Sequence, residues 1–83
     1  MSENLEIPAP FPGVLYRRSD PTASPFVSEN DLVTEGDVVA LIEVMKMFNE
    51  VRSPISGRLV EFLVDDGDAV SMGQGIARIE TES

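Results

Sequence analysis

The chain repeats itself, and this limits what it can fold into more than any other feature. Pro10-Phe11-Pro12-Gly13-Val14-Leu15-Tyr16 aligns with Pro54-Ile55-Ser56-Gly57-Arg58-Leu59-Val60, 44 residues further on. Asp31-Leu32-Val33-Thr34-Glu35-Gly36 aligns with Asp68-Ala69-Val70-Ser71-Met72-Gly73, 37 residues further on, and that match continues through Ala40-Leu41-Ile42-Glu43 against Ala77-Arg78-Ile79-Glu80. Asn30 then faces Gly67, and these two residue types most readily take a positive φ in a tight turn. Val38 to Val44 is apolar and rich in β-branched residues, and Arg58 to Val64 partly alternates as half-buried strands do. No segment combines a sustained helical period with caps. Two copies of a few short strands, each unable to bury its apolar face alone, predict an all-β fold. The expected form is a flattened antiparallel barrel or sandwich with two halves about a pseudo-twofold axis, one domain over residues 1–83.

The two offsets differ by seven residues, so the first half holds a segment that the second lacks: Ser19-Asp20-Pro21-Thr22-Ala23-Ser24-Pro25. Two prolines among small polar residues cannot continue a strand ladder, which predicts an ordered loop leaving the sheet over residues 18–26. Asp65-Asp66-Gly67-Asp68 lacks the alternating spacing of a calcium loop and reads as a hairpin turn. Gly73-Gln74-Gly75 lacks the further glycine and following helix of a phosphate loop and reads as a turn.

Composition removes several classes of function. Six basic against fifteen acidic residues give a net charge of −9, a surface that repels phosphate backbones and anionic lipids. Nucleic acid and membrane are therefore not expected partners. With no histidine and no cysteine, the usual general bases and nucleophiles are missing, as are thiolate metal ligands. The expectation is no catalytic residue, no metal, and no catalysis by this chain alone. Neither a basic-then-apolar leader nor a run long enough to span a bilayer is visible, so the cytoplasm is the expected location.

One residue stands out against that background. Lys46 is the single lysine, all other basic residues being arginine: Arg17, Arg18, Arg52, Arg58 and Arg78. It lies in Leu41-Ile42-Glu43-Val44-Met45-Lys46-Met47-Phe48-Asn49-Glu50-Val51, where apolar residues flank a centre without a polar loop. A tight hairpin over residues 41–51 with Met45-Lys46 at its tip is expected, although neither residue is a favourite of such turns. A local rule broken at one place often marks function. A lysine there would project its amine into solvent from a stiff base, which suits a tether better than a buried catalytic group.

Glu43-Val44-Met45-Lys46-Met47 resembles the Glu-Ala-Met-Lys-Met signature of biotinyl domains. Gly36-Asp37, Pro54-Ile55-Ser56-Gly57, and Asp66-Gly67-Asp68 with Val70 and Gly73 are similar to that family too. The resemblance runs from about Ile7 to Glu80. It implies a barrel-sandwich hybrid carrying biotin covalently on Lys46, with Glu43, Val44, Met45 and Met47 read by a biotin protein ligase. Val44 departs from the usual alanine, and being β-branched it is compatible with a strand. Tyr16-Arg17, leading through the inserted loop to Phe26, looks like the "thumb" of acetyl-CoA carboxylase carriers, formed here by Arg18, Ser19, Asp20, Pro21, Thr22, Ala23, Ser24 and Pro25. Arg18 stands where the thumb usually carries a small hydroxyl residue, and could donate to the ureido oxygen of biotin instead. The further implication is a non-catalytic, monomeric carrier. A biotin carboxylase would load a carboxyl group onto its biotin, and a carboxyltransferase would pass that group to an acyl acceptor. Two rivals remain: a lipoyl carrier, which usually has Asp-Lys-Ala at the tip, and an unmodified barrel serving as an adaptor.

Overall fold

A computed structural model describes residues 2–82. The chain forms eight strands: β1 Ser2–Pro8, β2 Gly13–Tyr16, β3 Leu32–Val33, β4 Val38–Val44, β5 Met47–Arg52, β6 Gly57–Phe62, β7 Ala69–Val70 and β8 Gly75–Glu82. They make two antiparallel four-stranded sheets, ordered β1-β8-β6-β3 and β5-β4-β2-β7. The sandwich form of the expected fold is the one adopted; the two sheets stay separate and no barrel closes.

Backbone hydrogen bonds repeat with the offsets seen in the sequence. Gly36 donates its N–H to Ser53 O and Gly73 to Ala9 O, each at 2.8 Å. The Asn30 N–H reaches Leu59 O at 2.6 Å, and the Gly67 N–H reaches Leu15 O at 2.7 Å. Both of these turn residues have positive φ, 76° for Asn30 and 89° for Gly67. The irregularities repeat as well, because Val39 in β4 and Ile76 in β8 are the extra residues where the β4–β5 and β1–β8 registers shift. Such bulges turn the strand so that the added side chain enters the core, and both side chains are fully buried.

The core is built in pairs. Ile7 and Val51, Leu15 and Leu59, Val33 and Val70, Val39 and Ile76, Ala40 and Ala77, and Ile42 and Ile79 are all buried. Val27, partly buried, matches buried Val64. Ala9 is matched by Ser53, the one buried polar residue among those described, whose hydroxyl donates to Ile55 O at 2.5 Å. Gly13 and Gly57 permit a close approach of strands. A Cβ on Gly13 would strike Glu43 O and come within 2.7 Å of Ile42 Cγ2, and one on Gly57 would come within 2.6 Å of Glu80 O and 2.8 Å of Ile79 Cγ2.

The halves interleave rather than merely face each other. The first sheet takes β1 and β3 from the first half and β6 and β8 from the second; the other sheet takes β2 and β4, then β5 and β7. Asp65-Asp66-Gly67-Asp68 therefore corrects the hairpin reading: it joins β6 to β7, which belong to different sheets. Under the repeat, Ser2 is equivalent to Lys46 and Glu82 to Met45, and Ser2 pairs with Glu82 in register. A twofold rotation carries each point across its axis, so the paired ends of β1 and β8 lie across the axis from Met45-Lys46. The molecule measures 41 × 27 × 19 Å.

Candidate functional site

Strands β4 and β5 form an antiparallel hairpin closed by the pair Val44 and Met47, leaving Met45 and Lys46 as a two-residue turn. Both turn residues have positive φ, 52° for Met45 and 66° for Lys46. Positive φ at both central positions is the requirement of the type I′ turn, whose twist matches that of the flanking strands. The ladder thus imposes a conformation that L-residues with long side chains avoid. Lys46 is exposed, as the sequence implied, and its backbone is held by two paired strands while its amine is free of the core.

The base of this hairpin is tied down on both faces. Ile42 is fully buried beneath it. Val44 packs, half-buried, against the core, so its β-branched side chain is accommodated. The Asn49 side-chain amide donates to Ile42 O at 3.3 Å and to Met47 O at 3.4 Å, bracing the last turn of the ladder. Glu43 accepts a hydrogen bond from the Tyr16 hydroxyl at 3.2 Å, joining β4 to β2. This bond, with burial and the neighbouring Glu43 and Asp66 carboxylates, raises the Tyr16 pKa above its ordinary 10.0. Phe48, paired with Glu43 across the ladder, places its ring centroid 6.0 Å from that of Tyr16. Met45 and Met47 project with Phe11, Val44 and Asn49 around a shallow apolar hollow.

The inserted loop leaves the sheet after Tyr16, where β2 ends. The Arg17 N–H donates to Asp66 Oδ1 at 2.6 Å, and the Phe26 N–H closes the loop on Arg17 O at 2.9 Å. The Arg17 guanidinium lies 3.9 Å from the centroid of the Phe62 ring, a cation–π contact that seats the root of the loop on the neighbouring sheet. Within the loop, Asp20 Oδ1 accepts from the Thr22 hydroxyl at 2.6 Å and from the Thr22 N–H at 2.9 Å. The hydroxyl contact, followed by the backbone one, lowers the Asp20 pKa. The Arg18 guanidinium donates to Ala23 O at 3.3 Å, so part of it braces the loop itself.

Between loop and hairpin lies a cleft of about 340 Å³, lined by Tyr16, Arg18, Ser19, Asp20, Pro21, Phe48 and Asp66. Its volume is in the range of small-molecule sites. Of the expected thumb residues, Arg18, Ser19, Asp20 and Pro21 face it, whereas Thr22, Ala23, Ser24 and Pro25 are not among its lining. Sequence reasoning missed Phe48 and Asp66 as its far walls. The signal for Phe48 was present: an aromatic two residues from the tip lengthens the apolar run beyond what a hairpin needs. For Asp66 no local signal existed, because the repeat shows its turn but not which half it caps.

A family model described as "Biotin-requiring enzyme" (Biotin_lipoyl) matches residues 5–79. The biotin carboxyl carrier protein of acetyl-CoA carboxylase from Streptococcus pyogenes serotype M6 is 39% identical over 80 residues, covering 96% of this chain and 48% of that protein. The protein of the same name from Nostoc sp. is 35% identical over 77 residues, covering 93% of this chain and 42% of that one. The chain thus spans about half the length of these relatives. Among solved structures, urea carboxylase from Kluyveromyces lactis matches 93% of this chain and 6% of its own, with a TM-score of 0.76 and 26% identity. With the two-half sandwich and the exposed Met-Lys-Met turn in place, the family match over nearly the whole length shows that the chain belongs to the Biotin_lipoyl family of biotin-requiring enzymes.

Proposed function

We propose that this domain is the carrier of a biotin-dependent acyl-CoA carboxylase, of the acetyl-CoA carboxylase kind, and that Lys46 is its attachment site. The observation that carries the reading is the turn itself. The one lysine sits exposed in a two-residue loop whose ends are locked in a ladder, so the anchor is fixed and the side chain is free to swing. Attached there as an amide, biotin supplies a ureido nitrogen that accepts and gives up a carboxyl group. The amide removes the charge of Lys46, and lysine plus the biotin chain extends ~14 Å from the backbone.

The chain's own residues take three parts in this reading. Met45 and Met47 offer a biotin protein ligase an apolar collar around the amine, while Glu43 and Val44 hold β4 in the register that presents it. Tyr16 on β2 and Phe48 on β5 form an aromatic wall of the cleft that bridges the intervening β4, and Phe48 lies only about 7 Å along the strand from Lys46, well within reach of the arm. Arg18 Nη donors and the Asp20 and Asp66 carboxylates offer opposite hydrogen-bonding partners to the C=O and N–H groups of a ureido ring. Carriage is the domain's whole role; the carboxylation and the transfer belong to a biotin carboxylase and a carboxyltransferase. Tethering raises the local concentration of the cargo at both.

Intact mass after incubation with biotin protein ligase, biotin and ATP tests the assignment. One biotin is expected on the native chain and none on Lys46→Arg. A lipoyl adduct formed instead with a lipoyl ligase, or no adduct with either enzyme, would refute it. On the biotinylated sample, NMR shifts at the Asp20 and Phe48 amides relative to the unmodified chain test the cleft, and their absence would remove it from the proposal.

A further inference from the structure

All the sulfur among the described residues lies on the surface. Met45 is 91% exposed, and Met47 and Met72 are each 69% exposed. Apart from Ser53, the buried core among the described residues contains only isoleucine, leucine, valine and alanine, and the chain has no cysteine. Oxidation of this protein therefore falls on thioethers, and none of the three contributes to the packing that holds the sheets together. Two of them flank Lys46, and Met47 lines the apolar hollow with Phe11 and Val44. Met72 occupies a turn before β8, in the second half, at the same exposure as Met47.

We propose that Met45 and Met47 form an oxidisable pair that controls whether Lys46 can be modified, with a peroxide as oxidant. The thioether sulfur attacks the terminal peroxide oxygen, the O–O bond breaks, and an S–O bond forms. Sulfur loses two electrons, the other peroxide oxygen takes both, and it leaves with both protons as water. The product at each position is a sulfoxide: polar, chiral, and a strong hydrogen-bond acceptor where an apolar collar stood. The backbone ladder, the buried valines and isoleucines, and the Lys46 amine are all untouched. The consequence is confined to recognition. A sulfoxide on the hairpin slows attachment of biotin, and its reduction back to the thioether restores it, so the loading step responds to oxidant without loss of the fold. This rests on the reading above that the ligase contacts Met45 and Met47.

The test treats the unmodified chain with hydrogen peroxide, maps the added oxygens by peptide mass, and measures the rate of biotinylation by the ligase. Oxidation is expected at Met45, Met47 and Met72, with an unchanged circular dichroism spectrum and thermal midpoint. The rate is expected to fall about tenfold, the scale on which an apolar pocket responds to one changed group. Treatment with methionine sulfoxide reductases A and B should return it. In Met45→Leu/Met47→Leu, which keeps Met1 and Met72, peroxide should leave the variant's own rate unaltered. Sulfoxide at both hairpin positions with an undiminished rate overturns the proposal, as does an equal loss in the leucine variant. A Met45→Gln/Met47→Gln chain separates the two readings. If it is biotinylated at the native rate, the ligase does not read these side chains and both readings fall. If it is slow while the oxidised chain is fast, only the oxidation proposal falls.

Discussion

Tyr16 is the one tyrosine in the chain, so its phenolate absorbance reports a single environment. The hydroxyl donates to Glu43, and ionising it would place two negative charges against each other beside Asp66. Spectrophotometric titration near 295 nm is accordingly expected to give a midpoint above 10.0 in the native chain, falling back toward that value in Glu43→Gln. Because the folded pKa is the higher one, this bond supports the fold fully below the ordinary tyrosine value. Its contribution is then lost as pH rises through the folded pKa. A native midpoint at or below 10.0 would mean that the bond between β2 and β4 does not persist in solution. At this scale the sequence was informative about Met45 and Lys46, which their apolar flanks place at a tip, and about Met47 through the family signature. It was silent about the bond between Tyr16 and Glu43, because they lie 27 residues apart and only the β2–β4 register brings them together.

The β4–β5 hairpin breaks the chemistry of its own turn. Met45 and Lys46 both hold left-handed backbone where asparagine, aspartate or glycine would cost less. Met45→Asn is expected to raise stability by about 1 kcal/mol, seen as a higher urea midpoint at unchanged slope. Its biotinylation is expected to be slower, because the collar loses a side. A gain in both properties would show that methionine at this position serves neither recognition nor loading. The elements were legible in unequal measure. Val38 to Val44 matches β4 end to end, since an unbroken β-branched run between turn signals has few other solutions. β1 was not visible. Ser2–Pro8 shares little with Lys46–Arg52 beyond Ile7 facing Val51 and Glu6 facing Glu50, and its outward residues obey no pattern that an edge strand requires. What fixes β1 is its partner β8, which a reading of local sequence does not contain. The inserted loop was predicted to leave the sheet and does so, but its anchors, Asp66 and Phe62, come from the other half.

Across the whole molecule, the repeat was plain in the sequence while the interleaving was not, because alignment of two copies says nothing about which copy supplies a strand's neighbour. The distinction matters for folding. Each sheet draws two strands from each half, so a single half has no complete sheet and no covered core. Residues 1–45 and 46–83 expressed separately are therefore expected to lack cooperative unfolding and strand-like circular dichroism, and to regain both when mixed. Independent folding of either fragment would contradict the arrangement of strands. The interleaving also sets how the domain meets force. Ser2 and Glu82 are cross-strand partners, so a pull that separates the two chain ends opens β1 from β8 one rung at a time instead of shearing many bonds together. Mechanical load applied there frays the molecule from that edge inward and reaches the lysine-bearing turn last.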